Sequence, residues 1–219
     1  MKTYLITGAS RGIGLEFCKQ LSKQQQNVIA VCRTTTDELK SLGVRIEDGV
    51  DVTQANDIEK LTKNLADISI DVLINNAGIL RYETLEDMNF DRIREQFEVN
   101  SLAPLRVTLA MLPNLKSGSK IIFITSRMGS LGDNTSGSRY GYRMSKAALN
   151  IAAISLVHDL KPRKISVGIF HPGHVSTDMT AHKGIPPSES VQRLLQRCEE
   201  LNLSNSGQFH HANGEILPW

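Results

Sequence analysis

Tyr4-Leu5-Ile6-Thr7-Gly8-Ala9-Ser10-Arg11-Gly12-Ile13-Gly14 begins as a strand, turns on glycines and opens an apolar-periodic stretch, Ile13 to Leu21. The glycine spacing is G-x-x-x-G-x-G, close to the dinucleotide-binding fingerprint without matching it. The physics is the same. Glycines permit a tight turn and close backbone approach, and the amino end of the following helix attracts a pyrophosphate. Gly8, Ser10, Arg11, Gly12, Ile13 and Gly14 are therefore the expected phosphate cradle.

Outward from this unit, apolar runs alternate with helical patterns. Strands are expected at Val28–Val31, Val44–Ile46, Asp71–Ile74, Ile121–Ile124 and Ile165–Phe170. Helices are expected over Ile58–Leu65, Phe90–Leu115 with an interruption near Pro104, Tyr140–Leu160 closed by Lys161-Pro162, and Ser188–Leu201. Asn213-Gly214 is a hairpin-type turn in a short last strand region. Short, unalternating apolar strands separated by helices imply a parallel sheet covered on both faces. The expected fold is α/β: a single-domain, Rossmann-type, doubly wound parallel β-sheet over residues 1–219. Residues 1–115 form mainly the cofactor-binding half, and residues 116–219 the catalytic and substrate half. The segment from Gly173 to Pro187 is long for an α/β connection and reads as a lid.

Composition sets bounds. A formal charge of +2 without a basic run excludes nucleic acid and anionic membrane as implied partners. Met1-Lys2-Thr3-Tyr4 runs straight into a strand, with no signal-peptide pattern and no apolar run of membrane-spanning length. Cys18, Cys32 and Cys198 show no CxxC spacing and read as reduced thiols, so a cytoplasmic location is expected. His171, His174, His182, His210 and His211 offer no HExxH spacing, and no metal site is expected.

The ribose end separates two cofactors. A carboxylate after the second strand would bond a 2′-hydroxyl and repel a 2′-phosphate. Here the chain reads Cys32-Arg33-Thr34, with no acid before Asp37. Arg33 suits a phosphate, and Arg11 adds a second cation, so NADP(H) is preferred over NAD(H). Asp51-Val52, after the third strand, fits two readings: contact with adenine or, for Asp51, a neighbour of a helix N-cap.

Tyr142 and Lys146 stand four apart at the start of a strongly helical run, one turn from each other on one face. Ser126 ends the strand-like run Lys120–Thr125, at the carboxyl edge where open α/β sheets bind ligands. Such a trio suits proton transfer at an alcohol or carbonyl oxygen. A cation at about 4 Å and an effective dielectric near 20 is worth roughly 4 kcal/mol, about three pKa units, before desolvation pushes back. Lys146 is expected to bring the Tyr142 phenol towards working pH. Tyr140 competes for the role, but its fourth-next residue is Met144.

These residues together resemble the short-chain dehydrogenase/reductase family over nearly the whole chain. The resemblance extends to Asn75-Asn76-Ala77-Gly78, which in the family supports the sheet and faces the cofactor, and to Asn100, the family's helix asparagine on the proton path to the lysine. His171-Pro172-Gly173-His174-Val175-Ser176-Thr177-Asp178 is similar to the family's nicotinamide-clasping segment. The resemblance implies catalytic roles for Ser126, Tyr142, Lys146 and Asn100. It implies cofactor contacts from Asn76, Ala77, Gly78, Tyr142, Lys146, Pro172, Gly173, Val175 and Thr177. Asp133-Asn134-Thr135-Ser136-Gly137 and the tail Gly214 to Trp219 look like the C-factor or sniffer-like carbonyl reductases. The implied activity is an NADP(H)-dependent oxidoreductase acting on a small-molecule carbonyl or alcohol. The alternative is a nucleotide-binding regulatory or signalling protein of C-factor type. The substrate pocket is expected among Gly129–Arg139, Leu80-Arg81-Tyr82 and the segment after Thr177. A homodimer is expected through the two longest helical stretches.

Overall fold

The central apolar runs become strands buried on both faces, and the stretches between them become the covering helices. The computed structural model describes residues 1–219. In chain order the elements are β1 (Thr3–Thr7), α1 (Gly12–Lys23), β2 (Asn27–Val31), α2 (Asp37–Lys40), β3 (Arg45–Glu47), α3 (Ala55–Asn64) and β4 (Ile70–Asn75). They continue with α4 (Phe90–Phe97), α5 (Ala103–Met111), β5 (Leu115–Ile124), α6 (Tyr140–Leu160), β6 (Ser166–His171), α7 (Pro187–Glu200) and β7 (Phe209–His211). The seven strands form one sheet in the order β3-β2-β1-β4-β5-β6-β7, every neighbouring pair parallel. This is a single-domain, Rossmann-type, doubly wound fold. The chain winds outward in both directions from β1 and β4, so a crevice opens between them at the carboxyl edge.

Alternation along the strands divides the core. Leu5 and Leu73 face one side with Leu61, Val107, Met111, Leu149 and Leu156, beneath α3, α5 and α6. Ile6 and Ile74 face the other with Phe17, Leu21, Val191 and Leu194, beneath α1 and α7. Cys18, Cys32 and Cys198 are buried free thiols, and burial pushes each thiol pKa up. No helix is long and apolar enough to cross a membrane.

The structure departs from the sequence reading most clearly between Phe90 and Leu115. The helical stretch is interrupted near Pro104 as expected, but the interruption is a π-helical turn over Glu98–Leu102 that separates α4 from α5, and a 3₁₀ turn over Leu112–Asn114 follows. Leu115 already belongs to β5. Pro104 has no N–H to offer the carbonyl of Asn100 four residues back, so the α-helical ladder cannot continue unbroken through this point. β5 in turn starts six residues before the expected Ile121, and its register with β4 shifts between Ile70 and Val72. The short α2 has too few residues to show periodicity; it rests on a cap in which Thr36 accepts from the Leu39 N–H at 3.3 Å.

The tail folds back through Asn213-Gly214 as the turn signal implies. His211 N–H donates to the Glu215 carbonyl at 2.8 Å, and Leu217 N–H to Phe209 at 2.8 Å. Trp219 stacks on Phe209, centroids 5.3 Å apart, and its carbonyl accepts from the Gly132 N–H at 2.8 Å. The chain terminus thus borders the loop that leads into α6. The segment expected as a lid is internally bonded. Val175 and Ile185 form a parallel bridge, and Ser176 and Ile185 N–H groups donate to Ile185 and His174 at 2.9 and 2.8 Å. Gly184 has φ +107°, and a Cβ there would strike the His174 carbonyl.

Candidate active site

The phosphate end is built by close approach. Gly8 has φ +66°, and a Cβ on it would lie 2.9 Å from the Cα of Ala77. A Cβ on Gly14 would strike the Gly8 carbonyl. Both positions therefore exclude any side chain, and the turn lies flat against the end of β4. Asn76 locks this contact: its Nδ2 donates to the Thr7 and Gly8 carbonyls at 3.0 and 3.3 Å. The Thr7 hydroxyl accepts from the Asn76 and Ala77 N–H groups at 3.0 and 3.1 Å. At the start of α1, Arg11 offers no side-chain cap and the first turn holds no acid. The helix amino end keeps its unpaired N–H groups and partial positive charge, which fits a bound pyrophosphate. Ser10 and Ile13 flank the turn, with the Ser10 carbonyl accepting from Thr36 at 3.3 Å.

The ribose end carries its two expected cations on the surface. Arg33 lies 4.0 Å from Asp51, and Arg11 lies 3.6 Å from Asp178. Exposed pairs of this kind are worth about 0–1 kcal/mol, so neither cation is tightly committed. Asp51 accepts from the Thr53 N–H and hydroxyl at 2.9 and 2.7 Å. Burial raises its carboxyl pKa, but the Thr53 bonds and Arg33 together bring it below the ordinary value. Val52 is buried beside it. Across the crevice, a methyl carbon of Thr177 lies 3.3 Å from where a Gly12 Cβ would stand. The Arg11–Asp178 pair makes the same crossing. Val175 is buried, Gly173 has φ +91°, and the Pro172 carbonyl accepts from Ser190 at 2.7 Å.

Ser126, Tyr142 and Lys146 are all buried and converge at the carboxyl ends of β4 and β5. Ser126 caps a 3₁₀ turn by accepting from the Met128 N–H at 3.1 Å. A hydrogen bond with Ser126 favours the Tyr142 phenolate, but burial dominates and pushes the phenol up to about 12. Lys146 has no carboxylate partner. Its ammonium donates to the Ile124 carbonyl at 3.0 Å and lies 5.8 Å from the Tyr142 ring centre. Burial alone brings its pKa down to about 8. The expected lowering of the phenol by Lys146 does not appear here: burial is the leading influence on both groups, and the Ser126 hydrogen bond is what opposes it at the phenol. Tyr140, the competitor, begins α6 half-buried, and its i+4 neighbour Met144 is exposed.

Asn100 lies in the π-helical turn, buried. Its amide is held from both ends: Oδ1 accepts from Ile79 N–H at 2.8 Å, and Nδ2 donates to the Ile79 carbonyl and the Ser145 hydroxyl at 2.9 and 3.0 Å. A Cβ on Gly78 would meet that Oδ1 at 3.3 Å and the Lys146 Nζ at 3.7 Å, so Gly78 lies between Asn100 and Lys146. Three supporting groups escaped the sequence reading. Ser145 accepts from Asn100 and donates to the Tyr142 carbonyl at 2.9 Å; its place at i+3 from Tyr142 was a readable signal. Glu83 and Gln96 had none. The buried Glu83 carboxylate accepts from Gly141 N–H at 3.1 Å and from Gln96 Nε2 at 2.7 Å, holding the start of α6 against α4. No group of histidines, cysteines and acids in the structure could hold a metal ion.

The profile of the short chain dehydrogenase family matches residues 2–186. The chain is 38% identical over 226 residues to 1-hydroxy-2-glutathionyl-2-methyl-3-butene dehydrogenase of Rhodococcus sp. (strain AD45), covering all of both chains. It is 44% identical over 154 residues to the C-signal protein of Myxococcus xanthus, covering 68% of this chain and 93% of that one. The crystal structure of NADPH-bound carbonyl reductase from chicken fatty liver superposes with a TM-score of 0.89 at 29% identity, covering 100% of this chain and 99% of the other. The chain belongs to the short-chain dehydrogenase/reductase family, and it is an oxidoreductase of the carbonyl–alcohol type.

One buried group beside the site makes stability depend on pH. His171, at the end of β6, stacks edge-on with His211 at 4.9 Å, and its Nδ1 has no partner. Burial first, then the nearby His211 and Arg127 charges, lowers its pKa from 6.5 to about 3. The folded protein therefore binds this proton less readily than the unfolded chain, and stability falls as pH drops from about 6.5 towards 3. Urea unfolding between pH 7 and 4 should show this decline. His171→Phe should flatten it; an unchanged slope in the variant would assign the effect elsewhere.

Proposed function

We propose that this short-chain dehydrogenase/reductase is an NADPH-dependent carbonyl reductase, with Tyr142 as proton donor. The observation that carries the reading is the burial of Ser126, Tyr142 and Lys146 around one point at the sheet's carboxyl edge, beside a turn shaped for a pyrophosphate. NADPH, when bound, supplies the hydride that reaches the carbonyl carbon. The chain does the rest. Ser126 holds the carbonyl oxygen. Tyr142, with its phenol held near 12, is fully protonated at neutral pH and donates to that oxygen as the alcohol forms. Lys146, at about 8, is mostly charged at pH 7 and stabilises the phenolate left behind. Lys146 and the Asn100 region return the proton from solvent. The same residues run the reaction from a secondary alcohol, and substrate supply sets the direction.

Gly8, Ser10, Arg11, Gly12, Ile13 and Gly14 would hold the pyrophosphate, and Asn76, Ala77 and Gly78 would line the cofactor. Asp51 and Val52 would border the adenine, and Pro172, Gly173, Val175 and Thr177 the nicotinamide. The first 115 residues then serve chiefly the cofactor and the remainder the substrate. Three buried free cysteines agree with work in the cytoplasm.

Arg33 and Arg11 favour NADP(H) over NAD(H). The NADPH-bound carbonyl reductase that the chain resembles supports this. Two charge-assisted contacts to a 2′-phosphate, each worth about 1.5–3 kcal/mol, give a preference of at least about tenfold. Arg33→Asp should shrink or reverse it in fluorescence titrations, and equal affinities in the wild type would remove Arg33 from the role.

A homodimer is the proposed assembly. Leu102 and Leu109 are exposed seven residues apart at α5, as are Met144 and Ile151 on α6, giving two apolar stripes at helical spacing. Light scattering at micromolar concentration should give twice the 24.2 kDa chain mass. A monomer mass would end the proposal.

The likeness to C-signal keeps a second reading, a nucleotide-binding signalling protein acting by contact. Tyr142→Phe separates the two. It removes one hydroxyl, so folding and NADPH affinity should be nearly unchanged. Turnover of a carbonyl substrate should fall by about 10²–10⁴. Signalling by contact would survive the substitution, and wild-type rates in the variant would sink the mechanism.

A further inference from the structure

Most arginines of the chain lie beside a carboxylate. Near the site, Arg81 pairs with Glu95, Arg92 with Asp87 and Arg127 with Asp133. Arg139 and Arg143 pair with none, and they stand four residues apart at the start of α6, on either side of Tyr142. Arg143 is spent on the loop. Its Nε donates to the Gly137 and Ser138 carbonyls at 3.1 Å each, and its terminal nitrogen to the Ser136 hydroxyl at 2.9 Å. Burial and then the Arg139 charge press its pKa down, with Asp133 opposing.

Arg139 is held but unused. Gly137, Ser138 and Arg139 have φ of +61°, +51° and +52°, three consecutive residues in the left-handed region, two of them not glycine. Such backbone persists only where its surroundings dictate it. Here the Arg143 bonds hold the loop from one side, and the Arg139 N–H donates to the Glu83 carbonyl at 2.8 Å from the other. The guanidinium lies over the exposed Tyr82 ring, 4.9 Å from its centre, and its buried Nε has no hydrogen-bond partner. Tyr82 belongs to the segment after β4 and Arg139 to the segment before α6, so the pair joins the two segments that meet at the start of the helix carrying Tyr142. A planar fork with free donors, fixed against an aromatic face, is the usual recognition element for a carboxylate or phosphate.

We propose that Arg139, stacked on Tyr82 and backed by Arg143, is a subsite for an anionic group, a carboxylate, carried by the substrate away from its reacting carbonyl. This rests on the carbonyl reductase reading and adds a substrate class to it: carbonyl compounds, or the corresponding alcohols, bearing an acid. The fork orients the acid at the rim while the carbonyl reaches Ser126 and Tyr142.

The test compares 4-formylbenzoate with its methyl ester, which share the reacting aldehyde and differ in the charge. Calorimetric titration of each into the protein saturated with NADP⁺ should show the acid binding at least about tenfold tighter. That advantage should shrink between 50 and 500 mM salt, since Tyr82 under the guanidinium is exposed to solvent. Arg139→Gln should reduce it to less than threefold, and Arg139→Lys should keep part of it. NADP⁺ affinity serves as the check that each variant is folded. Arg139 makes no side-chain hydrogen bond, so its replacement leaves the loop bonds of Arg143 in place. Equal affinity of acid and ester in the wild type, no detectable binding of either, or an advantage that survives Arg139→Gln would each overturn the subsite. Selective binding of the acid without reduction by NADPH would leave the subsite standing and remove the reductase reading. Reduction of both probes with equal efficiency and affinity would do the reverse.

Discussion

A buried ammonium with no anion beside it is the constraint around which the site is arranged. Lys146 cannot sit buried and unbonded, and its ammonium donates to the Ile124 carbonyl at 3.0 Å. That bond ties the second turn of α6 to the carboxyl end of β5. It also fixes where Tyr142 stands, one turn earlier on the same face, and brings the phenol against Ser126. Gly129 shows how closely the pieces are drawn together: a Cβ there would lie 2.8 Å from the Lys146 carbonyl carbon. Burial sets the protonation of both groups, holding Tyr142 as a phenol and bringing Lys146 to within reach of neutral pH.

The supports around this point are polar, buried and mutually satisfied. Ser145 joins Asn100 to the Tyr142 carbonyl, and the Ser101 hydroxyl donates to the Ser145 carbonyl at 2.7 Å. Thr125 donates to Asn150 at 2.7 Å just behind Ser126. Glu83 offers its carboxylate to the positive amino end of α6, where Arg139 supplies no cap of its own. Networks of this kind specify one arrangement, because any slip strands a buried donor or acceptor. The π-helical turn belongs to the same design. It places Asn100 between the loop after β4 and α6, and Pro104 ensures that a regular ladder cannot re-form there.

The sheet and its winding were legible because β1, β2, β4, β6 and the second half of β5 are short apolar runs buried on both faces, and because Gly8, Gly12 and Gly14 mark the one turn that must lie flat on its neighbour. Tyr142 and Lys146 were legible for a similar reason: i to i+4 spacing on a helix is local geometry. Where the reading failed, the cause was non-local or too short. The interruption near Pro104 was readable, but its form, a π turn over Glu98–Leu102, was not, because a π turn has no periodicity of its own. β5 grew backward to Leu115 because pairing with Ile70 recruits residues that carry little strand propensity. Glu83 and Gln96 look like ordinary polar loop and helix residues until their partners are known.

Local chemistry in the sequence therefore determined the class of fold, the phosphate turn, and which tyrosine and lysine stand together. Tertiary structure alone decided their ionisation, because a pKa depends on how much water is removed and on which carbonyl replaces it. The same holds for the arginines. The stretch Arg139-Tyr140-Gly141-Tyr142-Arg143 contains two guanidiniums that no sequence pattern distinguishes from the paired ones. Only the folded chain shows that Arg143 is consumed by its own loop while Arg139 lies over Tyr82 with its donors free, since charge pairing is settled by which side chains the fold brings within 4 Å.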